Sequence, residues 1–171
     1  MTKQTDTLNI RFGITQDAAP IAEIYNHYIA HTSITFEVET VSVEDREEWL
    51  QQFTEDGPYQ ILVAEQDGKV VGFAASVRYH PRAAYYTSVM TSVYLHKDFT
   101  GQGFGKKLYM ALLERLEKHP ELHRAYVLIS LPNESSLILH EKLGFRKVGI
   151  LEEAGKKFGQ FLSVQIMEKP L

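Results

Sequence analysis

Gly101, Gly103 and Gly105 alternate with other residues, and Lys106-Lys107 follow directly. Without a Cβ, such positions let a turn visit positive φ and let backbone amides approach a ligand closely. The run Val93-Tyr94-Leu95-His96-Lys97-Asp98-Phe99 leads in as a strand ends, and Leu108 opens an apolar face at helical spacing, so the glycines fall at a strand-to-helix turn. A helix start offers unpaired N–H groups and the positive end of its dipole, and the two lysines add full charges. No carboxylate lies between Thr100 and Ala111. The chemistry on offer is a phosphate cradle formed by Gly101, Gln102, Gly103, Phe104, Gly105 and Lys106. A Walker loop is excluded: from Gly101 the spacing is one residue short, and Lys107 stands where the magnesium-binding hydroxyl belongs. Gly-x-Gly-x-Gly is not the Gly-x-Gly-x-x-Gly dinucleotide fingerprint either. An ordinary glycine-rich turn is the competing reading.

Other reactive side chains are few. Asn133 heads a helical stretch, where it can serve as N-cap or contact a ligand, and His140 lies within it as a proton-exchanging imidazole or a packed core residue. His27 and His31 have the i, i+4 spacing of metal ligands, but Tyr28 replaces the glutamate of the metalloprotease helix and no third ligand is evident, so no metal is expected. There are no cysteines, which excludes disulfides, thiolate nucleophiles and zinc–thiolate sites. A net charge of −4 argues against a nucleic-acid binder. Met1 to Ile10 is polar, with no signal-peptide core, and no run approaches ~18 apolar residues; no membrane partner and a cytoplasmic location are expected.

These residues need elements to position them. The 171 residues are most simply one domain, 1–171, with a core of its own. Leu8 to Phe12 alternates as a strand. Asp17 is the expected N-cap of a helix from about Ala18 to Ala30, with Ile21, Ile24, Tyr25 and Tyr28 on its apolar face. A second helix is expected from Ser42 to Phe53, anchored by Trp49 and Phe53. Ile61 to Glu65 and Lys69 to Tyr79 are strands joined by Gln66-Asp67-Gly68, a hairpin signal. Thr87 to Leu95 is the strand entering the glycine turn, and a helix to about Lys118 leaves it. A strand at Arg124 to Ser130, a helix at Asn133 to Leu143, and strands near Phe145 to Leu151 and Gln160 to Glu168 complete the chain.

The x-x-Gly-x-Gly turn resembles the pyrophosphate loop of the GNAT N-acetyltransferase superfamily, with Thr100 at the usual Arg/Gln position. Asn133-x-x-Ser136 with Leu139-His140 and Gly144-Phe145 is similar to a second segment of those enzymes, and the element order matches theirs throughout. The resemblance implies an α/β (α+β) fold, with a central mixed, mostly antiparallel sheet of about seven strands flanked by about four helices. It implies acetyl-CoA as cosubstrate and no metal. Cofactor contacts would fall on Val93, Tyr94 and Leu95 beside a splayed strand, on the glycine loop, and on Asn133 and Ser135; His140 would lie near the thioester sulfur as the catalytic candidate.

Ile24-Tyr25-Asn26-His27-Tyr28, Thr35-Phe36-Glu37, Arg82-x-Ala84-Tyr85, Leu131-Pro132-Asn133 and Ala154-Gly155-Lys156-Lys157-Phe158-Gly159 together resemble the phosphinothricin acetyltransferase branch. That branch acetylates the α-amino group of phosphinothricin, methionine sulfoximine and methionine sulfone, commonly as a homodimer. By this resemblance Phe36, Arg82, Tyr85 and Met90 line the acceptor pocket, where Arg82 pairs with a carboxylate or phosphinate; a solvated loop charge is its bland alternative. Met90 stands where those enzymes carry a glutamate base, and methionine takes no proton. His80 or Glu37, a water chain, or prior loss of the proton must serve instead. Three functions therefore remain open: transfer to a small amino-acid-type amine, transfer to a protein N-terminus or polyamine, and acyl-CoA binding without catalysis.

Overall fold

The structure, a computed structural model, describes residues 8–171. The polar reading of Met1 to Ile10 thus lies mostly outside the described residues. In chain order the elements are β1 (Asn9–Phe12), α1 (Ala18–His31), α2 (Val43–Leu50), β2 (Ile61–Gln66), β3 (Lys69–Arg78), β4 (Ser88–Leu95), α3 (Phe104–Glu117), β5 (Arg124–Ser130), α4 (Glu134–Lys142), β6 (Arg146–Lys157) and β7 (Gln160–Pro170). The seven strands form one mixed sheet in the order β1-β2-β3-β4-β5-β7-β6. Neighbours are antiparallel except β4 and β5, which run parallel. This is the α/β architecture expected from the sequence.

Alternation along the strands divides the core into two layers. Leu62, Ala64, Ala74 and Val89 face α3, whose Leu108, Leu112 and Leu116 are fully buried, and Phe145 after α4 joins them. Ile61, Val63, Phe73 and Ala75 face the opposite way, onto Ile21 and Ile24 of α1 and Leu50 of α2. The β2–β3 hairpin turns through Asp67 and Gly68, both with positive φ, as the Asp-Gly signal predicts.

Three local expectations need correction. Asp17 occupies the N-cap position of α1 but makes no side-chain cap; its carboxylate accepts two hydrogen bonds from Arg11 and one from the Ile14 amide at 2.8 Å, so the charge pair outcompetes the cap. Helix α2 stops at Leu50, and Phe53 is buried from the loop beyond it. Strand β6 runs to Lys157, well past Leu151, because a tight turn at Phe158 and Gly159, both at positive φ, keeps it paired with β7 up to the tip; the polar Glu152-Glu153 stretch is absorbed as a bulge.

Candidate functional site

The parallel ladder between β4 and β5 covers only three pairs, Ser88 with Arg124 through Met90 with Tyr126. Beyond it the strands part. Thr91, 2 % exposed, sits at the point of divergence: its hydroxyl donates to the Tyr126 carbonyl at 3.2 Å and accepts from the Tyr109 hydroxyl at 2.7 Å. A side-chain hydroxyl thus takes a carbonyl that the ladder would otherwise use, and the β5-facing edge of β4 from Thr91 to Leu95 is left without a strand partner. Burial pushes the Tyr109 phenol well above its ordinary pKa, which keeps this wedge neutral.

At the open end of the fork lies the glycine turn. Gly101 and Gly103 adopt φ of +75° and +80°, and Gly103 is the N-cap of α3. A cleft of about 520 Å³ brings Val93, Tyr94, Leu95, Gly101, Gly103, Gly105, Lys106, Asn133 and Ser135 together along one wall-to-wall path. Gln102 and Phe104 are expected there but do not line it: Gln102 donates to the Asp98 carbonyl, and the Phe104 ring is buried against Phe99, so only its amide faces the helix start. The Asn133 Oδ1 accepts from the Ser136 amide at 3.3 Å and from the Ser135 hydroxyl at 3.2 Å. The cap is therefore real, and it leaves the amide nitrogen of Asn133 for a ligand. Tyr28, which sequence reasoning assigned only to packing, donates its hydroxyl to the Leu95 carbonyl at 2.7 Å and lines the cleft.

His140 lines a smaller cavity of about 60 Å³ at the fork base, with Thr91, Val93 and Asn133. It is 2 % exposed and packs edge-on to Tyr109 and Phe145 at 5.0 and 5.2 Å. Its Nδ1 is 2.7 Å from the Ser136 carbonyl, an acceptor only, so Nδ1 carries the proton and Nε2, which has no partner, offers a lone pair. Burial lowers its pKa, outweighing the opposite pull of the Ser136 carbonyl. The ring is packed in the core and also lines the fork, and in this tautomer it is an acceptor. An unfolded chain binds a proton near the ordinary value of 6.5, which the folded ring refuses. The stability due to the neutral ring is complete above that pH and is lost as pH falls through 6.5 toward the lower folded value. The thermal midpoint should fall between pH 7 and pH 5, and fall less in His140→Phe; parallel curves would mean the ring titrates like an exposed one.

The acceptor candidates form two groups. Tyr85 meets His80 at 4.6 Å and Tyr79 at 5.5 Å, and Tyr79 stacks on Tyr126, the strand partner of half-buried Met90. Arg82 is an exposed residue of the same rim; its amide donates to His80 Nδ1 at 3.2 Å. Phe36 lies on the other side, in the loop joining α1 and α2, with its ring against Gly155 of β6. Among the described residues no hydrogen bond or ring pairing joins Phe36 to Arg82 or Tyr85. What fixes the Phe36 loop is Lys157, only 5 % exposed, whose Nζ donates to the Thr35 carbonyl at 2.8 Å. The Thr35 hydroxyl in turn meets the Tyr25 hydroxyl at 2.9 Å. No local signal in the sequence assigns Lys157 a role, because its partner lies 122 residues away. Burial lowers the Lys157 pKa, with Glu37 pulling the other way. Among the described residues no group of three His, Asp or Glu side chains is placed to hold a metal ion.

Comparison with known proteins bears on this geometry. Residues 21–145 match the Acetyltransferase (GNAT) family. The chain is 41 % identical over 169 residues to a phosphinothricin N-acetyltransferase of Streptomyces coelicolor, covering 98 % of both. It is 32 % identical to an L-methionine sulfoximine/L-methionine sulfone acetyltransferase of Salmonella typhimurium, covering 96 % of this chain and 95 % of that one. Among solved structures, a phosphinothricin acetyltransferase of Sinorhizobium meliloti in complex with acetyl-CoA superposes with a TM-score of 0.91 at 29 % identity, covering 96 % of this chain and 89 % of the other.

Proposed function

The chain belongs to the acetyltransferase (GNAT) family, and from that premise we propose that it moves the acetyl group of acetyl-CoA to the amino group of a small amino-acid-like acceptor of the phosphinothricin or methionine sulfone type. The observation that carries this reading is the fork between β4 and β5, opening directly onto the glycine turn at the start of α3. The donor set fits the cosubstrate: amides of the turn and the side chain of Lys106 suit a pyrophosphate, and the unpaired edge of Thr91 to Leu95 suits the amide-bearing arm. Acetyl-CoA supplies the activated acetyl group as a thioester.

In this reading the protein's own residues do the following. Gly101, Gly103 and Gly105 let backbone amides face the phosphates, Lys106 adds charge, and Asn133 and Ser135 hold the arm from the α4 side. The edge of Val93 to Leu95 offers N–H groups where negative charge develops on the carbonyl oxygen. His140 Nε2 accepts a hydrogen bond at the fork base; donation from it to the leaving sulfur would need the imidazolium, which burial opposes. Phe36, Arg82, Tyr85 and Met90 receive the acceptor, and Met90 supplies apolar surface without a base. A cytoplasmic location belongs to the same reading, as does a homodimer: Val148, Ile150 and Phe161 leave apolar surface exposed on β6 and β7. No helix of the described residues is long and apolar enough to cross a membrane.

The test is thiol release from acetyl-CoA against phosphinothricin, methionine sulfone, methionine sulfoximine, ordinary amino acids, polyamines and an N-terminal peptide. Turnover on the amino-acid analogues is expected. Turnover confined to polyamines or the peptide would retain the cofactor site and replace the acceptor, and coenzyme A binding with silence across the panel would make the chain a binding module.

A further inference from the structure

Acetyl transfer to an ammonium requires that a proton leave the nitrogen before it attacks, and Met90 cannot take it. The two candidate substitutes are placed very differently. His80 belongs to the Tyr85 rim, where its Nδ1 already accepts the Arg82 amide at 3.2 Å and its carbonyl accepts from Arg78. Glu37 belongs to the α1–α2 loop, directly after a stretch, Ile34 to Phe36, that is held at several points. Thr35, two residues before, is 7 % exposed and held by Lys157 and Tyr25; its hydroxyl also accepts the Glu37 amide at 3.3 Å. Phe36 rests on Gly155. Ile34 lines both fork cavities. The Glu37 charge is felt by Tyr25 of α1, Arg46 beyond it on α2, Tyr94 of β4 and Lys157 of β6. Tyr94 in turn shares its face of β4 with Met90.

We infer that Glu37 is the catalytic proton acceptor for the acceptor ammonium, delivered to the fork mouth by a loop that Lys157 pins to β6. This rests on the acetyltransferase reading above. An N–H bond of the ammonium breaks and its proton passes to a Glu37 carboxylate oxygen. The freed nitrogen pair forms the N–C bond, the C–S bond breaks with its electrons on sulfur, and the thiolate takes a second proton from the nitrogen. Glu37, exposed to solvent, returns its proton to water, so one proton is released for each acetyl group moved. Arg46 and Lys157 are the cations, and Tyr25 and Tyr94 the phenols, that feel this charge; burial holds both phenols above their ordinary pKa, so both stay protonated and neither competes for the proton. Lys157 is a positioning residue, acting through the Thr35 carbonyl.

The test uses Glu37→Gln with the best amine of the panel. With a base in place, kcat/KM for the amine is flat with pH below the amine's own pKa. Without one, only free amine reacts and the profile rises tenfold per pH unit. Glu37→Gln should therefore lose about 100-fold near pH 7 and converge on the wild type as the amine deprotonates. Its calorimetric affinity for coenzyme A should be unchanged and its affinity for the amine in the coenzyme A complex should drop severalfold. In His80→Asn, which removes a ring that supports the acceptor rim, activity can fall in level but its pH profile should stay flat. A flat profile in Glu37→Gln, or an equal loss at every pH, overturns the assignment, and a rising profile in His80→Asn transfers the role to His80. Wild-type protein that turns over no amine would instead remove the enzymatic premise.

Discussion

Gly103→Glu should abolish measurable acetyl-CoA binding while leaving a folded protein. Gly103 has φ of +80° and stands at the N-cap of α3, where an added Cβ meets nothing within 4 Å. The substitution is thus free of overlap but bears the cost of a left-handed conformation, about 1 kcal/mol for a residue with a Cβ. That is a small part of the stability of a chain this size. The effect on the ligand is much larger, because a carboxylate enters the positive end of the helix dipole beside Lys106 and competes for the amides a pyrophosphate would use. A loss of at least about 100-fold in affinity is expected, since charged hydrogen bonds are lost and a like charge is added. Gly103→Ala separates the terms: it should show the same fall in thermal midpoint with only a modest loss of affinity. Equal affinity for Gly103→Glu and the wild type in a calorimetric titration would move the phosphate site elsewhere.

The glycine turn and the cleft beside it were readable in the sequence because their determinants are local. Positive φ at Gly101 and Gly103, a cap at Asn133 and lysines at a helix start are properties of a few consecutive residues. Strand β5 is found at Arg124–Ser130, its expected bounds, for the same reason: a short apolar run between clear breaks. The surroundings of the acceptor candidates were not legible in this way. Lys157 and Thr35 are separated by most of the chain, and nothing in either segment announces the other. The Thr91 hydroxyl reads as an ordinary strand threonine until Tyr109 and the Tyr126 carbonyl are brought to it. Likewise the seats of Phe36 and Tyr85 are consequences of topology. Phe36 answers to β6 at one edge of the sheet, and Tyr85 answers to the connection between β3 and β4. Asp17 shows the converse error: a residue with the right local signal for a cap was claimed by Arg11, a longer-range and stronger partner.

Gly155→Val should separate acceptor use from cofactor use. A Cβ built at Gly155 lies 2.3 Å from Cε2 of the Phe36 ring and under 3.0 Å from two more of its atoms. Such overlap cannot be tolerated in place, but the obstacle is the far end of a side chain that is 37 % exposed, and it has room to rotate outward. Strand β6 itself can accept valine, which is a favourable residue in extended backbone. The expected outcome is a folded protein in which the Phe36 ring is displaced and the loop bearing Glu37 is pushed off its seat on β6. Because the glycine turn, Asn133 and the edge of β4 lie on other elements, and Thr35, held by Lys157, separates Phe36 from the cleft-lining Ile34, affinity for coenzyme A should stay within about twofold. Acceptor kcat/KM should fall by about 100-fold, comparable to a small misplacement of a reacting group. Gly155→Ala, with less bulk, should fall between the two. If Gly155→Val lost coenzyme A affinity and acceptor activity in parallel, the two halves of the fork would be one mechanical unit; if it lost neither, the Phe36 ring would play no part in seating the acceptor.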